Sequence, residues 1–320
     1  MAVIETRGLT KKFGAITVLR SLNLHVERGE IYGFLGPNGA GKTTTIMLIL
    51  GLEKPTYGEV FLFGRRLCDN YFAFKQRLGV VSEFQRVYED MAACEYLAFF
   101  GQLYRVADPK RRAVDLLGRV GLYNQRNEPL RKYSKGMLQK INIVRALMHD
   151  PELLILDEPT ASLDPYGVKE IRDIIMEEHD RGKTILVSSH LLSEVERTCD
   201  RVGILSRGML VAEDSMENLR TKLAPDVTLI LELDQMKPEI VGALRALPFV
   251  KLVETKDATV EIRTKADADY RRDVSQAVSR AGGTVLGLTR REMSLEDAFI
   301  TITEKYVSQF AKGKRLSNEH

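Results

Sequence analysis

Neither sign of charge dominates this chain. Its 320 residues carry 47 Lys and Arg against 44 Asp and Glu, a formal net charge of +3. That near-balance lacks the basic excess of a dedicated nucleic-acid binder. Cysteine is scarce: Cys68, Cys94 and Cys199 stand far apart with no Cys-x-x-Cys spacing. Their spacing argues against a disulfide framework or a thiolate zinc site and fits a reducing cytosolic compartment. No apolar run approaches the roughly 20 residues that span a bilayer, and the N-terminus shows no charged-then-apolar leader pattern. The expectation is a protein that does not cross a membrane by itself. Long internal repeats and low-complexity tracts are also missing. The basic cluster Lys312, Lys314, Arg315 reads as a solvated end, with contact to anionic lipid as the alternative. What the chain does have is a hydrophobic share of 44%, enough for real cores, over a length that accommodates two domains.

Against this background stands Gly36-Pro37-Asn38-Gly39-Ala40-Gly41-Lys42-Thr43. Glycines let the backbone curl so that successive N–H groups converge on phosphate at the start of the following helix. Lys42 would reach the β- and γ-phosphates of a nucleoside triphosphate, and the Thr43 hydroxyl would sit on Mg²⁺. The flanks agree with this reading. Residues 30–35 are a short apolar run that reads as a buried strand, and from Thr44 to Leu50 the pattern is helical, stopped by Gly51. The acidic partner is Asp157-Glu158, which closes the run Leu153-Leu154-Ile155-Leu156. Two adjacent carboxylates after four apolar residues would be costly at a merely structural strand end.

Residues 2–26 alternate between apolar and polar, with turn signals at 12–14, and read as an antiparallel strand pair. Residues 83–150 are mostly helical in pattern; strand-like runs return at 153–156 and 184–188 around another helix. The alternation predicts a parallel α/β sheet interrupted by a helical insert. Composition changes near 222–225. Beyond it the order is strand (227–233), helix (238–247), strand (250–253), strand (259–262), helix (271–281), strand (284–288). That is the β-α-β-β-α-β order of a small ferredoxin-like domain, with a further helix from about Leu295.

Four features narrow the field of P-loop proteins. Tyr133-Ser134-Lys135-Gly136-Met137 precedes an amphipathic helix at 138–148; Ala161-Ser162-Leu163-Asp164 follows Glu158; His190 ends a strand; Phe13 lies ahead of the glycine loop. In this order and spacing the N-terminal two-thirds resembles the ATP-binding subunit of an ABC transporter. More narrowly, it looks like the bacterial and archaeal group that energises drug-resistance, sodium-extrusion and gliding-motility exporters. The resemblance implies a P-loop ABC-type ATPase domain over 1–222, with its helical subdomain at about 84–150. An α+β accessory domain over 223–320 would be regulatory or a second dimer contact.

The resemblance also implies roles. ATP and Mg²⁺ would be held by the loop from Gly36 to Thr44, with Asp157 on the metal. Glu158 would orient or activate the attacking water, and His190 would contact the γ-phosphate. Phe13 would stack on adenine; a core phenylalanine is the competing reading. Ser134 and Gly136, at a helix N-terminus, would bind the γ-phosphate held by the opposite subunit. Two chains, identical or related, would then close head-to-tail with Asp164 crossing the interface. Separate transmembrane subunits would form the passage, so the ATPase would lie on the cytoplasmic membrane face without binding the transported substrate. Residues 84–96 would line the groove that receives them. His25, His149, His179 and His320 are read as structural.

Two positions depart from the family pattern. Lys135 replaces the usual second glycine of the signature, and Glu83 stands where glutamine is usual, with Gln85 two residues later. Glu83 could still reach Mg²⁺ or water as an oxygen donor while adding negative charge. Two other classes stay open: a soluble ABC ATPase acting on nucleic acid or ribosomes, which the balanced charge disfavours, and an ATP sensor without turnover, which Glu158 and His190 disfavour.

Overall fold

The computed structural model describes residues 2–69, 71–83, 86–223, 226–256, 259–265 and 267–292. Phe84, Gln85, the helix expected from about Leu295 and the basic cluster at 312–315 lie outside the described residues. The chain divides into two compact units, Met1–Met216 and Glu217–His320.

The first unit opens with a long hairpin, β1 (Ala2–Phe13) and β2 (Ile16–Glu27), followed by β3 (Ile31–Leu35) and α1 (Lys42–Ile49). Two strands the sequence pattern did not signal, β4 (Tyr57–Leu62) and the short β5 (Arg65–Arg66), join the hairpin in the order β2-β1-β4-β5. Then come α2 (Tyr71–Lys75), β6 (Leu78–Val81), α3 (Ala93–Leu103), α4 (Pro109–Arg119) and α5 (Lys135–Leu147). The unit is completed by β7 (Leu153–Asp157), α6 (Pro165–Asp180), β8 (Thr184–Ser189), α7 (Leu192–Thr198), β9 (Arg201–Ser206), β10 (Met209–Ser215) and the start of α8 (Met216–Leu223).

Local chemistry sets the helix starts. Asp108 caps α4 by accepting from the Arg111 N–H at 3.1 Å, with Pro109 in the first turn, and Asp164 with Pro165 does the same for α6. Ser134 caps α5 through the Met137 N–H, so that helix begins three residues before the apolar pattern at 138–148. β3, β7 and β8 are buried along their whole length, as expected of strands covered on both faces. They form a sheet ordered β10-β9-β3-β8-β7-β6, parallel except for β10. The loops that leave β3, β8, β7 and β6 therefore all emerge from one sheet edge, at the carboxyl ends of the strands.

The second unit is β11 (Asp226–Leu233), α9 (Pro238–Arg245), β12 (Val250–Lys256), β13 (Thr259–Lys265), α10 (Arg271–Arg280) and β14 (Val285–Glu292). Its sheet is antiparallel in the order β12-β13-β11-β14, the ferredoxin-like arrangement. Val227, Leu229 and Leu231 pack with Ile240, Leu244, Val274 and Val278 from the two helices into a core of its own. Strands β12, β13 and β14 run past the ends of the apolar pattern, because cross-strand pairing continues through residues whose side chains are polar.

Candidate nucleotide site

The glycine loop leaves the end of β3 and enters α1. Gly41, the helix N-cap, has φ = 110°, and a Cβ there would lie 2.7 Å from Leu19 Cδ2. Conformation and space both demand glycine. The loop is backed from behind: the Gly208 N–H donates to Ala40 O at 2.9 Å, and the Arg20 N–H donates to Gly208 O at 2.8 Å. The turn between β9 and β10 thereby ties the loop to β2. Gly36 N–H donates to Ser189 O and Ala40 N–H to Pro37 O. Pro37, Asn38, Gly39 and Thr43 are exposed and Thr44 is half-buried, whereas Thr45 turns inward and donates to Gly41 O at 2.8 Å. The first N–H groups of α1 have no intrahelical acceptors and carry the positive end of the helix dipole.

Lys42 is buried, 6% exposed. Its ammonium donates to Gly36 O at 2.7 Å and Pro37 O at 3.4 Å, and lies 3.2 Å from Glu158 Oε1. Asp157, at the end of β7, is buried and its Oδ1 accepts from the Ser188 hydroxyl at 2.5 Å. The Glu158 N–H in turn donates to Ser188 Oγ at 3.0 Å. Glu158 has φ = 50°, a left-handed conformation that costs a non-glycine residue on the order of 1–3 kcal/mol. Its carboxylate is shared: Oε1 faces Lys42, and Oε2 accepts from His190 Nδ1 at 2.8 Å. That His190 nitrogen must carry the proton, because an ionised carboxylate can only accept.

Three strand ends thus meet in one bonded cluster, Lys42 after β3, Asp157 and Glu158 at β7, and Ser188 and His190 at β8. Among the described residues, the other expected ones outside the glycine loop have no hydrogen bond to this cluster. Phe13 ends β1 and is 46% exposed. Glu83 is exposed in the bend after β6. Ser134, exposed, and Gly136, half-buried, where a Cβ would meet only Ser134 Oγ at 4.0 Å, begin α5; Lys135 between them is exposed. Asp164 is exposed and its Oδ1 accepts from the Gly167 N–H at 2.7 Å. Ser188 went unread from the sequence, although a buried polar residue ending an apolar run was the available signal.

The cluster's oxygen donors suit magnesium, which takes one or two protein oxygens and completes its shell with water and phosphate. Thr43 presents an exposed hydroxyl on the first turn of α1, and the Asp157 carboxylate is oriented by Ser188. Among the described residues no group of three or more His, Cys, Asp or Glu is arranged to hold a metal.

A parallel sheet with a glycine loop after its central strand and paired carboxylates after a neighbour defines a P-loop nucleotide-binding protein. The family model described as ABC transporter matches residues 19–161. The bacitracin transport ATP-binding protein of Bacillus licheniformis is 37% identical over 302 residues, covering 94% of this chain and 97% of the relative. The linearmycin resistance ATP-binding protein of Bacillus subtilis is 32% identical, covering 94% of this chain and 98% of its own. Among solved structures, a dimeric ATP-binding cassette in a post-hydrolysis state, bound to ADP and Pi, matches with TM-score 0.60 and 27% identity over 67% of this chain and 98% of that one. The chain belongs to the ABC transporter ATP-binding proteins; it is an ATP-binding, ATP-hydrolysing subunit of such a transporter.

Proposed function

We propose that this chain powers a multi-subunit exporter from the cytoplasmic face of the membrane, using the Lys42–Glu158–His190 cluster to hydrolyse Mg-ATP. The observation that carries this reading is the shared carboxylate of Glu158, bonded to both Lys42 and His190. Arriving triphosphate offers Lys42 better acceptors than the Gly36 carbonyl and Glu158. The lysine then turns to the β- and γ-phosphates, which releases Glu158 to orient or deprotonate the attacking water. His190, retained on Glu158 or moved to the γ-phosphate, stabilises developing charge. Ser188 keeps Asp157 oriented so that Asp157 and Thr43 can hold Mg²⁺, which neutralises phosphate charge when bound.

The α5 N-terminus, with exposed Ser134 and half-buried Gly136, supports a head-to-tail dimer in which that end meets the partner's ATP; that a similar solved cassette is dimeric favours pairing as such. Asp164 would cross the same interface, and Phe13 would stack on adenine. The pair is two copies of this chain or this chain with a related ATPase. Separate transmembrane subunits supply the passage and bind the transported substrate. No helix among the described residues is long and apolar enough to cross a membrane. An aromatic patch at the start of the helical insert suits their docking: Tyr88 and Phe99 are exposed, and Tyr88 packs edge-on against Tyr96 and Phe99. The names of the two relatives favour export of antibiotic-like compounds. The second unit serves regulation or a further dimer contact.

Tagged Glu158→Gln protein, with ATP, should capture a polytopic membrane protein from detergent-solubilised membranes, while its hydrolysis falls by about 10²- to 10⁴-fold. Recovery of only soluble partners, ribosomes or nucleic acid would refute the transporter assignment. Hydrolysis at the wild-type rate would remove Glu158 from its role.

A further inference from the structure

We infer that Lys11 is a positioning residue for the adenine base: it holds the Phe13 ring from behind and makes the ring's open face a better stacking surface. The inference rests on the proposed role of Phe13, and it adds a residue that no sequence motif singles out.

Lys11 is buried on β1. Its ammonium has a full set of directed contacts: Glu53 Oε2 at 2.7 Å, Lys54 O at 2.8 Å, and the Phe13 ring, whose centroid is 4.7 Å away. Glu53 belongs to the segment that leaves α1, where its N–H donates to Met47 O at 3.3 Å. The same segment is fastened to β1 twice more: the Thr56 N–H donates to Thr10 O, and the Lys12 N–H donates to Thr56 Oγ1. An unbroken chain of bonds therefore runs from the helix that starts at the glycine loop, through Glu53 and Lys11, to the Phe13 ring. The loop's other side is backed by β2, whose Leu19 touches Gly41, and Phe13 pairs with Ile16 where that strand begins. The ring is thus attached to the phosphate-binding loop from two directions.

Two consequences follow for stacking. A half-exposed phenylalanine at a hairpin end would otherwise sample several rotamers, and ordering one on binding costs affinity; Lys11 supplies that order beforehand. The second is electronic. Aromatic faces carry negative charge, which opposes face-to-face contact with another π-system. A cation over one face draws that density toward itself, leaving the opposite face less repulsive to a purine. Lys11 cannot touch the base while occupied by Glu53 and Lys54, so its action passes through Phe13.

Binding of ATP and of inorganic tripolyphosphate, each with Mg²⁺, would be measured by calorimetry on the full chain for wild type, Lys11→Met, Lys11→Arg, Phe13→Ala and the double variant Lys11→Met with Phe13→Ala. Lys11→Met should weaken ATP about 3- to 10-fold and leave tripolyphosphate unchanged; Lys11→Arg should recover most of the loss. The double variant should bind ATP no worse than Phe13→Ala alone. Equal losses for ATP and tripolyphosphate in Lys11→Met would overturn the inference, because the effect would then be general to the site. So would unchanged ATP affinity in Lys11→Met alongside weakened affinity in Phe13→Ala. If Phe13→Ala itself binds ATP normally, the stacking role of Phe13 fails and the inference falls with it, a result distinguishable from failure of Lys11 alone.

Discussion

Lys42 is nearly buried, yet its charge is matched by carbonyls and one carboxylate rather than by a single fixed partner. A buried cation held this way can be handed to phosphate without being left unpaired, which an isolated buried charge could not tolerate. Lys42→Ala should therefore weaken ATP binding itself by roughly 10- to 100-fold, the value of one or two charge-assisted hydrogen bonds. Equilibrium binding of nucleotide to the variant checks this, and unchanged affinity would count against the phosphate-loop assignment. The same variant should leave Glu158 bonded to His190 alone. Its neighbour Ser188 serves two masters, as donor to Asp157 and acceptor for the Glu158 N–H, so one hydroxyl orients the Asp157 carboxylate and fixes the backbone that carries Glu158.

At the scale of elements, the end of α5 is a joint. His149 follows the helix, stacks flat on Tyr104 at the end of α3 with ring centroids 3.8 Å apart, and donates from Nε2 to Leu78 O at the start of β6. Its Nδ1 is buried without a hydrogen-bond partner. Burial first, with the nearby Lys183 and Arg112 charges adding to it, holds the imidazole below its ordinary pKa, against the opposing effects of Leu78 O and Asp150. The folded state therefore binds fewer protons than the unfolded one as pH falls. The stability this neutral histidine contributes is fully present above about pH 6.5 and is lost as pH drops toward its lowered folded value. Thermal midpoints measured from pH 8 to 5.5 should fall more steeply for wild type than for His149→Gln, which keeps a donor for Leu78 but cannot take up a proton. Parallel curves would show that this histidine does not set the acid limit. The paired carboxylates Asp150, Glu152 and Glu177, all held low by basic partners, would fail only at lower pH.

Among the described residues each unit has a hydrophobic core of its own, one around Ile4, Tyr32, Phe34 and Leu186 in the first and one around Leu229, Leu231, Ile240 and Val274 in the second. Separate cores predict separate cooperative transitions. Calorimetric scans should show two, of which ATP raises only the one belonging to the first unit. At about 100 times Kd the gain is about 2.7 kcal/mol, or roughly 5–10 °C for a domain of that size. A single transition, or equal shifts in both, would mean that the units unfold as one.

The sequence by itself determined the features whose cause is local: the glycine loop between a buried strand and a helix, the acidic strand end, Ser134 at a helix N-terminus, and the β-α-β-β-α-β order of the second unit. Each depends on neighbours within a few residues or on a periodicity of two or 3.6. The strands β4, β5, β9 and β10 were not legible, because β4 and β9 take their places beside β1 and β3, distant in the chain, and β5 and β10 are then held to them by short hairpins. The same holds for the roles of Ser188, Gly208 and Lys11. Ser188 has meaning only beside Asp157, Gly208 only behind Ala40, and Lys11 only between Glu53 and the Phe13 ring. Tertiary structure alone decided those pairings, since a hydrogen bond or a cation over a ring depends on distance in space and leaves no period in the sequence.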